Sequence, residues 1–295
     1  MAKTLGFIGL GVMGLPMSRN LSGKYPGLLV YDVDKERSRS LPEGQAQAVG
    51  DIPGIASRAD IVFLSLPSSA VVREVVLGGD GLTSHMKKGS VVVDTSTTEV
   101  TVVKEMAAEL EKRGVGFIDA PVSGGEMAAI GGTLSFMIGA KKDAFEETKE
   151  YFHAMGASVV HMGDICTGQI AKAVNQMIVG STFAVIAESF ALGAKSGLDP
   201  KTLYNAIKGG WAGSKVLDVA ANDMLSREFK PGGTVDIHWK DLGYALSLSK
   251  DNDVPVPVTA IVHEIFKAAK AKGHGKESQP AVVRLWESLL GIEIK

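Results

Sequence analysis

The sequence predicts an α/β domain built on a doubly wound parallel sheet, followed by an all-α domain that a long helix joins to it. Three observations carry this prediction. Short β-branched apolar runs alternate with helix-like stretches through the first half of the chain. Strand signals nearly cease after Gly163. Beyond that point a proline-free apolar stretch, Ile170 to Ala194, reads as a single helix, roughly 38 Å long at 1.5 Å per residue.

The apolar runs are Leu5–Gly9, Leu28–Tyr31, Ile61–Leu66, Val91–Asp94, Val115–Asp119 and Phe136–Ile138. Several are apolar at nearly every position, as strands covered on both faces must be. Val100–Lys112 and Asp143–Ala154 have helical composition and supply crossovers of the right-handed kind. In Ile170–Ala194 the apolar residues fall on almost every face, which reads as a helix buried all round. Further helices are expected over Pro200–Ile207, Val235–Lys250, Val258–Lys272 and Pro280–Leu290, divided by Pro255-Val256-Pro257 and by Gly273–Gly275. The expected domains are 1–163 and 164–295.

Composition narrows the class of function. A length of 295 residues suits two domains, and 45% hydrophobic with 22% charged residues is a soluble balance. A formal net charge of −2 offers nothing to nucleic acid or to an anionic membrane. Cys166 is the one cysteine, so no disulfide forms within the chain and a reducing compartment is expected. The first residues show no basic region ahead of a cleavable apolar stretch, and the central apolar run Met177–Ala187 falls short of the roughly 20 residues of a bilayer span. A cytoplasmic protein is expected. The six histidines lack metal-ligand spacing, so no metal site is expected.

Gly9-Leu10-Gly11-Val12-Met13-Gly14 fits G-x-G-x-x-G. Alone the pattern is weak in a chain with 35 glycines. Here it follows the first strand and opens a helix, the context of a Rossmann-type dinucleotide site, where glycines let the backbone approach a pyrophosphate at a helix N-terminus. Asp32 closes the second strand, where a carboxylate holds the adenosine ribose and repels a 2′-phosphate. NAD is therefore favoured over NADP, although Lys35 and Arg37 lie close by. A turn or N-cap role is the other reading of Asp32. Leu66-Pro67 and Thr95-Ser96-Thr97 end two further strands, and ligands bind outside such ends.

In the long helix Lys172 and Asn175 are three residues apart and share a face, with Gly168 one turn before Lys172. A buried lysine requires a partner; alternatively Lys172 emerges to solvent with its stem on apolar surface. Lys240-Asp241 reads by itself as a surface pair. Ser123-Gly124-Gly125 follows a strand and precedes Glu126–Ile130.

Four ordered motifs give the chain a family resemblance. They are Gly6 to Gly14 with Pro16-Met17, then Asp119-Ala120-Pro121-Val122-Ser123-Gly124-Gly125, then Gly168-Gln169-Ile170-Ala171-Lys172-Ala173-Val174-Asn175, then Lys240-Asp241-Leu242. In this order, across essentially the whole chain, they resemble the β-hydroxyacid dehydrogenases, which include 3-hydroxyisobutyrate dehydrogenase and tartronate semialdehyde reductase. The resemblance implies Lys172 as general acid/base. It implies Ser123, Gly124, Gly125, Asn175 and Lys240 as substrate contacts. For the cofactor it implies Thr97 and Lys240, beside the turn residues Gly9, Leu10, Gly11, Val12, Met13 and Gly14 and the strand-end residues Asp32, Leu66 and Pro67 that the motif context already offers. Where many members have a second asparagine, this chain has Gln176. That residue, the stretch Ile207 to Ser214 and the stretch Phe229-Lys230-Pro231 are similar to the tartronate semialdehyde reductase branch. The expected reaction is reduction of that semialdehyde to D-glycerate, with a 3-hydroxyisobutyrate dehydrogenase as the alternative. A non-catalytic nucleotide-binding scaffold is disfavoured by Lys172, and an imine or ketone reductase by Ser123-Gly124-Gly125. A homodimer or homotetramer joined through the helical domains is expected, because few helices are left to cover the long one.

Overall fold

The computed structural model describes residues 3–230 and 232–295. Pro231, part of the Phe229-Lys230-Pro231 stretch, lies outside them. The chain divides into two compact units, Met1–Lys172 and Ala173–Lys295.

The first unit holds nine strands: β1 (Leu5–Ile8), β2 (Leu28–Tyr31), β3 (Ala46–Ala48), β4 (Ile61–Leu64), β5 (Val91–Asp94), β6 (Gly116–Asp119), β7 (Val122–Ser123), β8 (Leu134–Gly139) and β9 (Gly156–Gly163). Its helices are α1 (Gly14–Lys24), α2 (Lys35–Arg39), α3 (Ile52–Ala56), α4 (Ser69–Leu77), α5 (Leu82–His85), α6 (Val100–Lys112), α7 (Gly125–Ile130) and α8 (Lys142–Phe152). The sheet order is β3-β2-β1-β4-β5-β6-β8-β7, with β9 on β8. The first six strands are parallel, in the doubly wound order whose switch point between β1 and β4 binds dinucleotides.

The sheet is not parallel throughout. β8 runs antiparallel to β6 and to β7, and β9 then lies parallel to β8. β6 and β7 both oppose β8, so the chain keeps its direction from one to the other and reverses only through α7, between β7 and β8. β3 and β9 show no strand signal in an apolar count because both have exposed residues in quantity, Gln47 and Ala48 in one, Ala157 and Ser158 in the other.

Period-2 alternation sorts the strand side chains onto two faces. Phe7, Phe63 and Phe136 join Met17, Leu21 and Phe152 on one, with ring centroids 6.1 Å apart for Phe7–Phe63 and 5.2 Å for Phe136–Phe152. Ile8, Val62, Leu64 and Val92 meet Val72, Val76, Val103, Met106 and Leu110 on the other. The last three follow the 3–4 spacing that turns one stripe of α6 to the sheet. Each fully buried side chain of this size contributes about 1.5–3 kcal/mol.

The long helix α9 (Thr167–Lys195) starts in the first unit. Its first turn is seated by Asp119, at the end of β6. The two carboxylate oxygens accept from the amides of Cys166 (2.7 Å) and Gln169 (2.8 Å), groups that a helix start otherwise leaves unpaired. Gly168 allows the close seat, because a Cβ there would meet the carbonyl oxygens of Met137 and Asp119. Cys166 adopts a φ of +84° to enter the helix, and burial pushes its thiol up to about 11.

In the second unit α9 is followed by α10 (Pro200–Ile207), α11 (Lys215–Ser226), α12 (Val235–Asp251), α13 (Pro257–Ala269) and α14 (Arg284–Leu290). α11 was not foreseen; Ser214 caps it by accepting from the Leu217 amide at 3.0 Å. The helix expected to reach Lys272 ends in a π turn broken by Gly273 at φ +96°, and a 3₁₀ turn, Gln279–Val283, precedes α14. Phe183, Ala187 and Phe190 of α9 form the core with Leu217, Met224, Leu242 and Phe266.

α9 is not buried all round. Ile178, Val185 and Leu192 recur every seven residues and are 64%, 55% and 69% exposed. Its length of 29 residues and a mean hydropathy of 1.6 over one 18-residue window would also suit a bilayer span, more than the Met177–Ala187 run suggests, but the opposite stripe supplies the core of its unit.

Burial raises the Asp119 carboxyl from the ordinary 3.8 to about 7, against the pull of its backbone hydrogen bonds and with a smaller push from Asp94. The folded state therefore holds this proton more tightly than the unfolded state. The group's stabilising contribution is full below about pH 4 and is lost as pH rises through 7. Wild type is expected to lose roughly 2–4 kcal/mol relative to Asp119→Asn between pH 4 and pH 8. Urea unfolding of both across that range checks this, and parallel stability curves would refute it.

Candidate active site

At the end of β1 the chain turns through Gly9, whose φ of +91° suits glycine. A Cβ on Gly14 would overlap the Gly9 carbonyl oxygen, so α1 starts as near the strand as backbone permits. Gly11 faces open space: only the Arg37 guanidinium, at 3.9 Å, lies within 4 Å of where its Cβ would stand. Backbone left open at Gly11, ahead of a helix N-terminus, fits a dinucleotide pyrophosphate. Val12 is exposed and Met13 half-buried, while the Leu10 side chain is in the core.

The Leu10 amide is already engaged. It donates to Asp32 Oδ2 at 2.6 Å, and the Asp34 amide donates to Oδ1 at 2.8 Å. Asp32 thus ties the glycine turn to the end of β2. The N-cap of α2 is Asp34, which also pairs with Arg37 at 3.2 Å.

The ends of β4 and β5 are stitched together. The Leu66 amide donates to Ser96 Oγ at 2.9 Å, and the Thr95 hydroxyl to the Leu64 carbonyl at 2.6 Å. Asp94 accepts from the Ser96 amide (2.9 Å) and the Thr98 hydroxyl (2.6 Å). Thr97 is half-buried and Pro67 exposed at this edge. Gln169 joins them from the first turn of α9: its Nε2 donates to the Ser96 carbonyl at 2.8 Å, and its Oε1 accepts from the Thr98 amide at 3.0 Å.

Lys172 is buried, with 8% of its surface exposed. Its ammonium donates to the Val122 carbonyl at 2.8 Å. The reading in which it emerges to solvent is set aside by this contact. Val122 leads directly into Ser123-Gly124-Gly125, where Gly124 and Gly125 take φ of +132° and +70°. A Cβ on Gly124 would press on Ala128, whereas Gly125 has nothing within 4 Å. The sheet unit therefore brings a lysine ammonium to the edge of a glycine turn with open space before it.

In the helical unit, Asn175, Gln176, Asp241 and Lys240 form one chain. Asn175 Nδ2 donates to Gln176 Oε1 at 2.9 Å, Gln176 Nε2 donates to Asp241 Oδ2 at 2.6 Å, and Lys240 Nζ lies 3.2 Å from Asp241 Oδ1. Asp241 is 2% exposed, so Lys240-Asp241 is not a surface pair. His238 is fully buried, its ring nitrogens 3.1 Å from the Gln176 carbonyl and 2.9 Å from Gln279 Nε2. A Cβ on Gly180 would strike that ring, so this glycine lets α9 approach α12. Among the described residues no three metal-ligating side chains gather.

Sequence reasoning quoted Asp119 and Gln169 inside motifs and gave them no task. A polar residue beside a glycine at the start of an apolar helix was the available signal.

The sheet unit matches the family model described as the NAD binding domain of 6-phosphogluconate dehydrogenase, over residues 4–163. Residues 166–286 match the model described as NAD-binding of NADP-dependent 3-hydroxyisobutyrate dehydrogenase. A 2-(hydroxymethyl)glutarate dehydrogenase of Eubacterium barkeri is 35% identical over 98% of this chain and 97% of its own length. A 2-hydroxy-3-oxopropionate reductase of Escherichia coli is also 35% identical, over 96% of this chain and 97% of its own. The crystal structure of a 3-hydroxyisobutyrate dehydrogenase from Salmonella typhimurium superposes with a TM-score of 0.88 at 27% identity, covering 96% of this chain and 100% of that one. With a glycine turn fit for a dinucleotide and matches along both units, the chain belongs to the NAD(P)-dependent β-hydroxyacid dehydrogenases, oxidoreductases that act on hydroxyl groups.

Proposed function

We propose that the chain transfers hydride between NAD(H) and a small β-hydroxy acid or its semialdehyde, with tartronate semialdehyde, reduced to D-glycerate, as its substrate. One observation carries this reading: the Lys172 ammonium is bonded to the carbonyl of Val122, the residue that opens Ser123-Gly124-Gly125. A proton donor then stands beside a turn whose successive positive-φ glycines make an anion-binding concavity. In this reading the Ser123 hydroxyl and the Gly124 and Gly125 amides hold the substrate carboxylate. Lys172 gives its proton to the carbonyl oxygen as that oxygen gains charge, and the neutral amine removes it in the reverse direction. When bound, the nicotinamide cofactor supplies or accepts the hydride. An ordinary lysine, with a pKa of about 10.4, is an ammonium at neutral pH, which favours reduction there and oxidation at higher pH. Asn175 and Lys240 keep the substrate and cofactor roles that the resemblance implies, and Leu66, Pro67 and Thr97 keep theirs at the cofactor.

Gln176 and the Ile207–Ser214 stretch support tartronate semialdehyde. The equal identity to a 2-(hydroxymethyl)glutarate dehydrogenase and the likeness to a 3-hydroxyisobutyrate dehydrogenase structure favour a second reading, a hydroxymethyl-bearing acid. Asp32 supports NAD as the cofactor, while Arg37 beside Gly11 weighs toward NADP. The exposed heptad of Ile178, Val185 and Leu192 supports a homodimer or homotetramer formed through the helical unit.

A panel of tartronate semialdehyde, methylmalonate semialdehyde and the matching hydroxy acids, assayed with NADH and NADPH or their oxidised forms, tests substrate and cofactor together. The highest kcat/KM is expected for tartronate semialdehyde with NADH; a preference for NADPH would overturn the role given to Asp32. Lys172→Ala is expected to fold and bind NADH but to lose about 10²–10⁴-fold in kcat, and near-normal turnover would remove Lys172 from the chemistry. Light scattering at micromolar concentration should give at least a dimer, and a monomer there would count against the heptad as an interface.

A further inference from the structure

Lys172 stands on the second turn of α9, so its location depends on what holds the first. Asp119 fixes the helix at one point, through the amides of Cys166 and Gln169. A helix pinned at one point by its end can still pivot. We propose that Gln169 is the second pin, a positioning residue that sets the Lys172 ammonium against the Ser123-Gly124-Gly125 turn. This rests on the proton-transfer role given to Lys172 above.

Gln169 is 2% exposed, and both ends of its amide are engaged with backbone of the loop after β5: Nε2 donates to the Ser96 carbonyl and Oε1 accepts from the Thr98 amide. That loop is itself rigidly tied. Asp94 beneath it holds the Ser96 amide and the Thr98 hydroxyl, and Ser96 Oγ holds the Leu66 amide. Gln169 therefore references the helix to the ends of β4 and β5, while Asp119 references it to β6. Lys172 lies three residues on from Gln169, roughly one turn along the same side. A buried amide costs free energy unless every polar atom is paired, and an apolar residue would fill the space without that demand. The two-ended pairing defines a direction as well as a distance, which apolar contact does not.

The test is a pair of variants of the full chain. Gln169→Met keeps the volume and removes both bonds. Gln169→Glu keeps an acceptor for the Thr98 amide, but it offers the Ser96 carbonyl a donor only when protonated. Burial raises the pKa of the introduced carboxyl. Asp119 at the helix start and Asp94 under the loop press in the same direction when ionised, whereas Lys172 one turn on presses the other way; the Cys166 thiol, pushed up to about 11, stays neutral. The wild-type profile, run in parallel, carries the contribution of Asp119 itself.

With the favoured semialdehyde, Gln169→Met is expected to lower kcat about 10–100-fold at every pH, the scale of a small misplacement of a reacting group, with KM within about threefold. Gln169→Glu should approach wild type at low pH and fall away as its carboxyl ionises. Two results would overturn the proposal: both variants within twofold of wild type, or both reduced equally with no recovery at low pH, which is the signature of a merely structural residue. If wild type turns over none of the panel, it is the proposed function that fails. The pin is then judged without turnover, from the NMR resonance of Lys172 after reductive ¹³C-methylation, assigned with Lys172→Ala. A shift of that resonance in Gln169→Met supports the pin, and an unchanged resonance rejects it.

Discussion

One buried carboxylate and the backbone packed around it hold the arrangement together. Asp119 sits at the end of a central strand and takes the first amides of α9 in the place of solvent. Gly139 and Gly168 make the geometry possible: a Cβ on Gly139 would lie 2.5 Å from Asp119 Oδ1, and one on Gly168 would enter the backbone of β6 and β8. Two residues without side chains thus let a helix end stand directly on a sheet. The helix dipole adds to the attraction, since its amino end favours negative charge. The first turns of α9 inherit their location from this seat, including the reach of Lys172 to the Val122 carbonyl.

The same economy appears at the other glycine-rich turn. Gly9 and Gly14 close the gap between β1 and α1 until only backbone separates them, and Asp32 holds the turn from the neighbouring strand. In both places an aspartate at a strand end accepts amides from a segment distant in sequence, Leu10 for Asp32 and Cys166 and Gln169 for Asp119. Strand ends in a parallel sheet all point the same way, so such carboxylates gather along one edge.

Much of the fold was legible because burial on both faces leaves uninterrupted apolar runs, and β1, β4 and β5 are such runs. The edges were not. β3 and β9 carry exposed polar residues and acquire strand geometry from the neighbours they pair with. α11 is hidden behind the glycines from Gly209 to Gly213 and is declared only by its Ser214 cap. The long helix shows why composition overstates burial. Apolar residues lie on every face of α9, yet the side that carries Phe183, Ala187 and Phe190 is covered while Ile178, Val185 and Leu192 stand exposed. In the candidate site, Lys172 and the Ser123-Gly124-Gly125 turn could be read from motifs and spacing. The work of Gln169 and Asp119 could not, because their partners lie 47 to 73 residues away in sequence and no local period records them. Gln176 is a further case: read as a departure from an asparagine, it proves to be the link between Asn175 and Asp241.

Asp32 has a consequence for how cofactor choice can drift over evolution. Its two oxygens carry structural bonds to Leu10 and Asp34, so a lineage cannot discard the carboxylate without loosening the turn that any dinucleotide requires. The residues after it are under no such obligation: Val33 is 88% exposed, and Lys35, Glu36 and Arg37 are exposed as well. Selection for a phosphorylated cofactor therefore has a cheaper path through that short surface segment, where Arg37, paired with Asp34, already stands beside Gly11, than through the aspartate itself. Acceptance of both cofactors is the natural intermediate on such a path, and the scaffold survives each step of it.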